Sequence, residues 1–225
     1  MIRLQDISNQ IKTRGKYWIV FTGDSITSCE WVHPNWREIV EYVLKQELTK
    51  IQGDWKNSSW SLRAFNFAYD GATTGDILAK VELIKQVQPD LVISVMGSND
   101  PAFKLTVSEH VENIQKIIKR LNTNVVWCTS TPAFPESSTN NQYRPYTLAL
   151  MQIPARPNLQ LVDVFNLYQQ FPLKKFFTFT SDPVHPNQLG NAYLAKIVLK
   201  EVFDLEFDPQ KYIEETLSGQ KYPGY

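Results

Sequence analysis

Apolar positions along the chain follow two alternating patterns. Five short runs are apolar or β-branched almost throughout: YWIVF (17–21), AFNFA (64–68), LVISVM (91–96), VVWCTS (125–130) and LQLVDV (159–164). Runs of this length predict strands buried on both faces. Between them the apolar spacing changes to i, i+3, i+4, i+7. Trp36, Ile39, Val40, Val43, Leu44, Leu48 and Ile51 form one such stripe, with Pro34 suited to its first turn. Ile77, Leu78, Val81, Ile84 and Val87 form a second. Val111, Ile114, Ile117, Ile118 and Leu121 form a third, opened by Thr106 and Glu109 in a capping box. Leu189, Tyr193, Ile197 and Val198 mark a last long helix after SDPVHPN (181–187).

Strands alternating with amphipathic helices imply a parallel sheet covered on both faces, because parallel neighbours need crossover connections. The expected fold is therefore α/β, a three-layer α/β/α sandwich around a mainly parallel five-stranded sheet. The whole chain, 1–225, reads as one domain, with 1–15 and 208–225 peripheral and the tail adding a surface helix. TPAFPESSTNNQYRPY (131–146) is the least regular stretch and reads as a loop, either solvated or shaping a substrate site.

Composition narrows the function classes. Lys plus Arg and Asp plus Glu both number 23, so no charge excess favours nucleic acid or an anionic membrane surface. No apolar run is long enough to span a bilayer, and the N-terminus lacks the apolar core of a signal peptide, so the expected location is cytoplasmic. Cys29 and Cys128 are widely separated, which argues against a disulfide framework or a structural zinc site.

In such sheets the ligand lies beyond the carboxyl ends of the strands. There the sequence places GDS (23–25), YDGATTG (69–75) and MGSND (96–100), and DPVH (182–185) stands before the last long helix. A serine hydroxyl needs a base to take its proton, and the base needs a third group to fix its tautomer. Ser25, His185 and Asp182 fit those roles. The backbone N–H groups of Ser25 and Gly71 and the side-chain amide of Asn99 are candidate donors to an oxyanion. Taken singly, each has a plainer reading: Gly-Asp-Ser as a turn, Gly71 and Gly75 as turn glycines, Asn99 and Asp100 as caps. Independent turns, however, have no reason to present this complementary set.

The set resembles the SGNH (GDSL-type) hydrolases, serine esterases and acylhydrolases on a flavodoxin-like sheet. GDSIT matches the first block, NFAYDGATTGDIL resembles the second, and GSND and DPVHPNQLG match the third and last. The resemblance implies a nucleophile at Ser25, oxyanion donors at Gly71 and Asn99, and a base pair of Asp182 and His185. The second block departs from the usual Gly-Asp, since Ala72 follows Gly71, which leaves Gly75 as a rival. The resemblance also implies small carboxylic esters as substrates, O-acetyl groups on carbohydrates or small alcohols among them, and requires no metal or organic cofactor.

Rival assignments remain at this level. Asp163 competes with Asp182 to orient His185. Asp24 suits a bracing role in the serine turn. Trp31, His33, Phe134, Tyr143 and Arg144 are candidate substrate-lining residues, and His110 reads as a surface residue. A metal-dependent phosphoesterase would use Asp24, Asn99, Asp100 and His185 as ligands. A non-enzymatic phosphate- or cofactor-binding module would use the turns at TGDSIT and GATTG. Oligomeric state is not legible.

Overall fold

Five strands carry the fold: β1 (Tyr17–Gly23), β2 (Leu62–Asn66), β3 (Leu91–Val95), β4 (Asn124–Cys128) and β5 (Leu159–Val162). In the computed structural model, which describes residues 1–28, 30–133, 137–170 and 179–217, they run in the order β2-β1-β3-β4-β5, all parallel. The chain steps from β1 outward to β2 and then returns past β1 to β3. The loops leaving β1 and β3 therefore diverge, opening a crevice at their carboxyl ends.

Side chains on successive strand residues point to opposite faces, which divides the core in two. Ile19, Phe21, Ile93, Val95, Val126 and Cys128 face one way, and Val20, Val92, Val125 and Trp127 the other. The first face is covered by α1 (Leu4–Arg14), α3 (Trp36–Gln52) and the long helix α10 (Gln188–Phe203). The second is covered by α5 (Thr74–Gln86), α7 (Val107–Leu121) and α8 (Ser138–Met151). The three-layer sandwich expected from the pattern is the observed one. Among the described residues, no helix is long and apolar enough to cross a membrane.

Several local expectations are corrected. Residues 1–15 are not peripheral: α1 buries Ile7 and Ile11 in the first core. Nor is the tail wholly so, since α11 (Pro209–Leu217) sets Ile213 against the same core. Pro34 stands outside α3. Asn35 is the N-cap instead, accepting from Arg37 N while Glu38 accepts from Asn35 N in a capping box. The stretch expected as a loop over 131–146 is helical from Ser138 onward, despite Pro145 inside α8. Pro145 is exposed, and the helix is held by Tyr143, Thr147 and Leu150 on its buried side. Two short helices, α4 (Trp55–Ser61) and α9 (Val164–Gln169), complete the passage into β2 and the exit from β5.

Candidate active site

β1 ends at Gly23, where only glycine fits: φ is +151° and a Cβ would lie 2.3 Å from the Val95 carbonyl oxygen of β3. The chain turns there into a single helical turn, α2 (Ser25–Ser28). Asp24 beneath it is fully buried and accepts from Ile26 N at 3.1 Å and from the Ser98 hydroxyl at 3.1 Å. Thr27 Oγ1 donates to the Val95 carbonyl at 3.2 Å. These bonds fix Ser25 at the mouth of the crevice. They also give Asp24 the bracing position expected for it.

His185 reaches the same point from the loop before α10. Asp182 Oδ1 accepts from Val184 N and His185 N, each at 2.7 Å, a tight turn that brings the imidazole back over the carboxylate. Asp182 Oδ2 lies 2.6 Å from His185 Nδ1, and His185 Nε2 lies 2.9 Å from Ser25 Oγ. Burial raises the pKa of Asp182, but the two backbone N–H groups and the imidazole more than offset this and leave it lowered. The ionised carboxylate places the imidazole proton on Nδ1, so Nε2 accepts from the Ser25 hydroxyl. A hydroxyl bonded to a neutral imidazole that is itself held by a carboxylate is the arrangement that makes a serine nucleophilic. Asp163, the rival to Asp182, caps α9 through Asn166 N.

Gly71 and Asn99 stand at the two neighbouring loops. Gly71 adopts φ +72°, a left-handed turn that favours glycine. Asn99 opens the short helix α6 (Asn99–Ala102), and its Nδ2 donates to the Ala72 carbonyl at 3.1 Å, which ties the two loops together. Gly75 lies inside α5, where a Cβ would approach Asn113 and Leu105.

A match to the model of the GDSL-like Lipase/Acylhydrolase family covers residues 21–193, from the end of β1 into α10. The chain belongs to this family. It is accordingly a carboxylic ester hydrolase. Solved structures of similar fold include an acetylxylan esterase from Geobacillus stearothermophilus, in a catalytic-mutant form, at 21% identity and TM-score 0.65 over 85% of this chain and 97% of that one. A second acetyl xylan esterase is 20% identical, with TM-score 0.65 over 83% and 100% of the two chains. A member of the lipolytic G-D-S-L family from Veillonella parvula is 18% identical, with TM-score 0.64 over 84% and 98%. No curated protein matches the sequence.

The expected lining residues divide. Trp31 is at the site, its indole stacked on the His185 ring with centroids 4.2 Å apart and planes at 10°. His33 borders a groove of about 440 Å³ with Trp31, Ser181 and Gln188, and its Nδ1 lies 3.0 Å from Glu38 Oε2. Tyr143 is a correction. It is 7% exposed and packs with Ala133 and Phe165, with its phenol bonded to Ser98 and pushed up to about 12 by burial. Helical spacing puts the apolar face of α8 inward at Tyr143, and Arg144, one residue on, is exposed. Phe134 and Cys29 lie outside the described residues.

His110 is a second correction: it is not a surface residue but 1% exposed, with Nδ1 2.6 Å from Asp100 Oδ2. Asp100 also accepts from Thr74 N and Thr74 Oγ1, at 2.8 and 2.6 Å. This buried pair pins the start of α5 to the loop that carries Asn99. The ligand set imagined for a metal-dependent phosphoesterase is thus not gathered, because Asp24 turns to Ser98 and Asp100 to Thr74 and His110. Among the described residues no three His, Cys, Asp or Glu side chains are placed to share an ion.

Proposed function

We propose that this enzyme removes short acyl groups, acetyl foremost, from the hydroxyls of carbohydrates or small alcohols through an acyl-enzyme on Ser25. The observation that carries the reading is the unbroken chain from Asp182 through His185 to Ser25, with bonds of 2.6 and 2.9 Å. The preference for acetyl is supported by the acetylxylan esterases among the similar folds.

Ser25 Oγ attacks the ester carbonyl carbon while its proton passes to His185 Nε2. The carbonyl oxygen becomes an oxyanion, stabilised by the N–H groups of Ser25 and Gly71 and by the Asn99 amide. As the tetrahedral species collapses, His185 gives its proton to the leaving alcohol and the acyl group stays on Ser25. Water then attacks the acyl carbon, its proton goes to His185, and the acid is released as that proton returns to Ser25. Asp182 holds the imidazole and balances its charge at each transfer. The reaction asks for no cofactor. We place it on a single domain and in the reducing cytoplasm, in keeping with the free, buried thiol of Cys128.

A panel of aryl esters of graded acyl length, with acetylated sugars and a phosphomonoester, tests reaction class and acyl preference together. The expected result is turnover highest on acetyl esters, unaffected by a chelator, and lost in Ser25→Ala together with fluorophosphonate labelling. Ester hydrolysis undiminished in Ser25→Ala, or cleavage of the phosphomonoester alone, would overturn the proposal.

A further inference from the structure

We infer that Trp31, tied down by Asp70, is a positioning residue that clamps the face of His185; the inference rests on the ester-hydrolase reading above. The in-plane bonds to Asp182 and Ser25 hold two atoms of the imidazole, but neither blocks a tilt out of the ring plane. The indole does, lying nearly parallel to the ring at 4.2 Å between centroids.

An indole that is 54% exposed has little packing of its own to hold it. Its hold comes from Asp70. Trp31 Nε1 donates to Asp70 Oδ2 at 2.5 Å, while Asp70 Oδ1 accepts from Ser28 Oγ at 2.6 Å. Ser28 ends α2, the turn that begins with Ser25, and its carbonyl accepts from Asn66 Nδ2 at 3.0 Å at the end of β2. Asp70 immediately precedes Gly71. One carboxylate therefore joins the helix of the nucleophile, the plate over the base and the glycine turn beside them.

The plate also acts on charge. When His185 takes the Ser25 proton the ring becomes an imidazolium, and a π face in stacking contact attracts that charge more strongly than it attracts the neutral ring. Trp31 thus favours the transition state over the ground state, which raises kcat rather than lowering KM. Among the described residues, the groups bonded to or stacked on the ring are Asp182 at Nδ1, Ser25 at Nε2 and the indole itself. Asp70 lies at the indole edge, accepting from Nε1, and Asp24 is turned to Ile26 and Ser98. Substituting Trp31 removes the indole and its bond to Asp70 and leaves the bonds of His185 to Asp182 and Ser25 in place.

The test uses the full chain and an aryl acetate too small to need the indole as a binding surface. Trp31→Leu is expected to lower kcat roughly 3- to 30-fold with KM within about twofold, and Trp31→Phe, which keeps an aromatic face but has no N–H for Asp70 to hold, to recover only part of the loss. A second readout does not depend on turnover. Protonated imidazole quenches an indole in contact with it, so acidification should remove part of the tryptophan emission in the wild type. That component should be absent in His185→Ala and in Trp31→Phe, and reduced in Asp70→Ala. A kcat within twofold of wild type in Trp31→Leu, or a raised KM at unchanged kcat, would overturn the inference, as would an active enzyme with no His185-dependent quenching. A wild type inert on every ester but showing the quenching would instead defeat the hydrolase reading and leave the contact standing.

Discussion

The side-chain amide of Asn99 carries two N–H donors, and one is committed to the Ala72 carbonyl at 3.1 Å. The other is the donor proposed for the oxyanion, so one side chain holds a loop and serves chemistry. Asn99→Ala should therefore lower kcat by roughly 10²- to 10³-fold with KM little changed, and cost about 1 kcal/mol of stability for the lost loop bond. Kinetics and thermal melts on the same variant separate the two. A lowered melting temperature with near-normal kcat would leave Asn99 a brace alone. At this scale the sequence was uneven. Ser25, Asp182 and His185 were legible because a weak nucleophile needs a base and the base needs a partner. The buried His110–Asp100 pair was not, because a histidine in a helix shows its surroundings only once neighbouring elements close over it.

Among the described elements, α10 makes a close contact with the segment that carries Asp182 and His185. Gly190 in its first turn sits where a Cβ would lie 2.0 Å from the Phe179 carbonyl oxygen, 2.8 Å from the Tyr168 hydroxyl and 2.9 Å from Pro186 Cβ. The helix thus presses directly on the segment that carries Asp182 and His185. Gly190→Ala forces that backbone aside, and the expected cost is roughly 1–3 kcal/mol of stability. Displacement of His185 should also reduce kcat by about tenfold or more. Denaturant unfolding and steady-state kinetics check both, and an unchanged midpoint with unchanged kcat would refute the contact. The three central strands were legible to within a few residues because buried parallel strands are apolar throughout, whereas the edge strands β2 and β5 are only partly buried. Helix α8 was hidden by Pro145 and by a polar first turn; packing of Tyr143, Thr147 and Leu150 overrides both.

For the molecule as a whole, burial of Asp24 makes stability depend on pH. Desolvation pushes its carboxyl up to about 6 from 3.8, against the opposing bonds from Ile26 N, the Ser98 hydroxyl and Gly97 N. In the window between these values the folded protein keeps a proton that the unfolded chain has lost. The contribution of this group to stability is therefore greatest below about pH 4, falls as pH rises through about 6, and is constant above that, a total of roughly 3 kcal/mol. The difference in unfolding free energy between wild type and Asp24→Asn, measured in urea across that range, should fall accordingly. A difference that stays level from about pH 4 to pH 7 would contradict it.

The sequence by itself pointed to the layers, the parallel sheet and the loops that carry Ser25, Asp182 and His185. These follow from local periodicity and from residue types whose chemistry needs one another, and both are written within a few residues of chain. Only the tertiary structure decided that α1 belongs to the core, that Tyr143 packs inward, that Asp100 pairs with His110, and that Trp31 lies on His185 under the hold of Asp70. Each depends on which separate elements meet, α1 on one face of the sheet and the others around the loops beyond its strand ends, and the local pattern does not carry that.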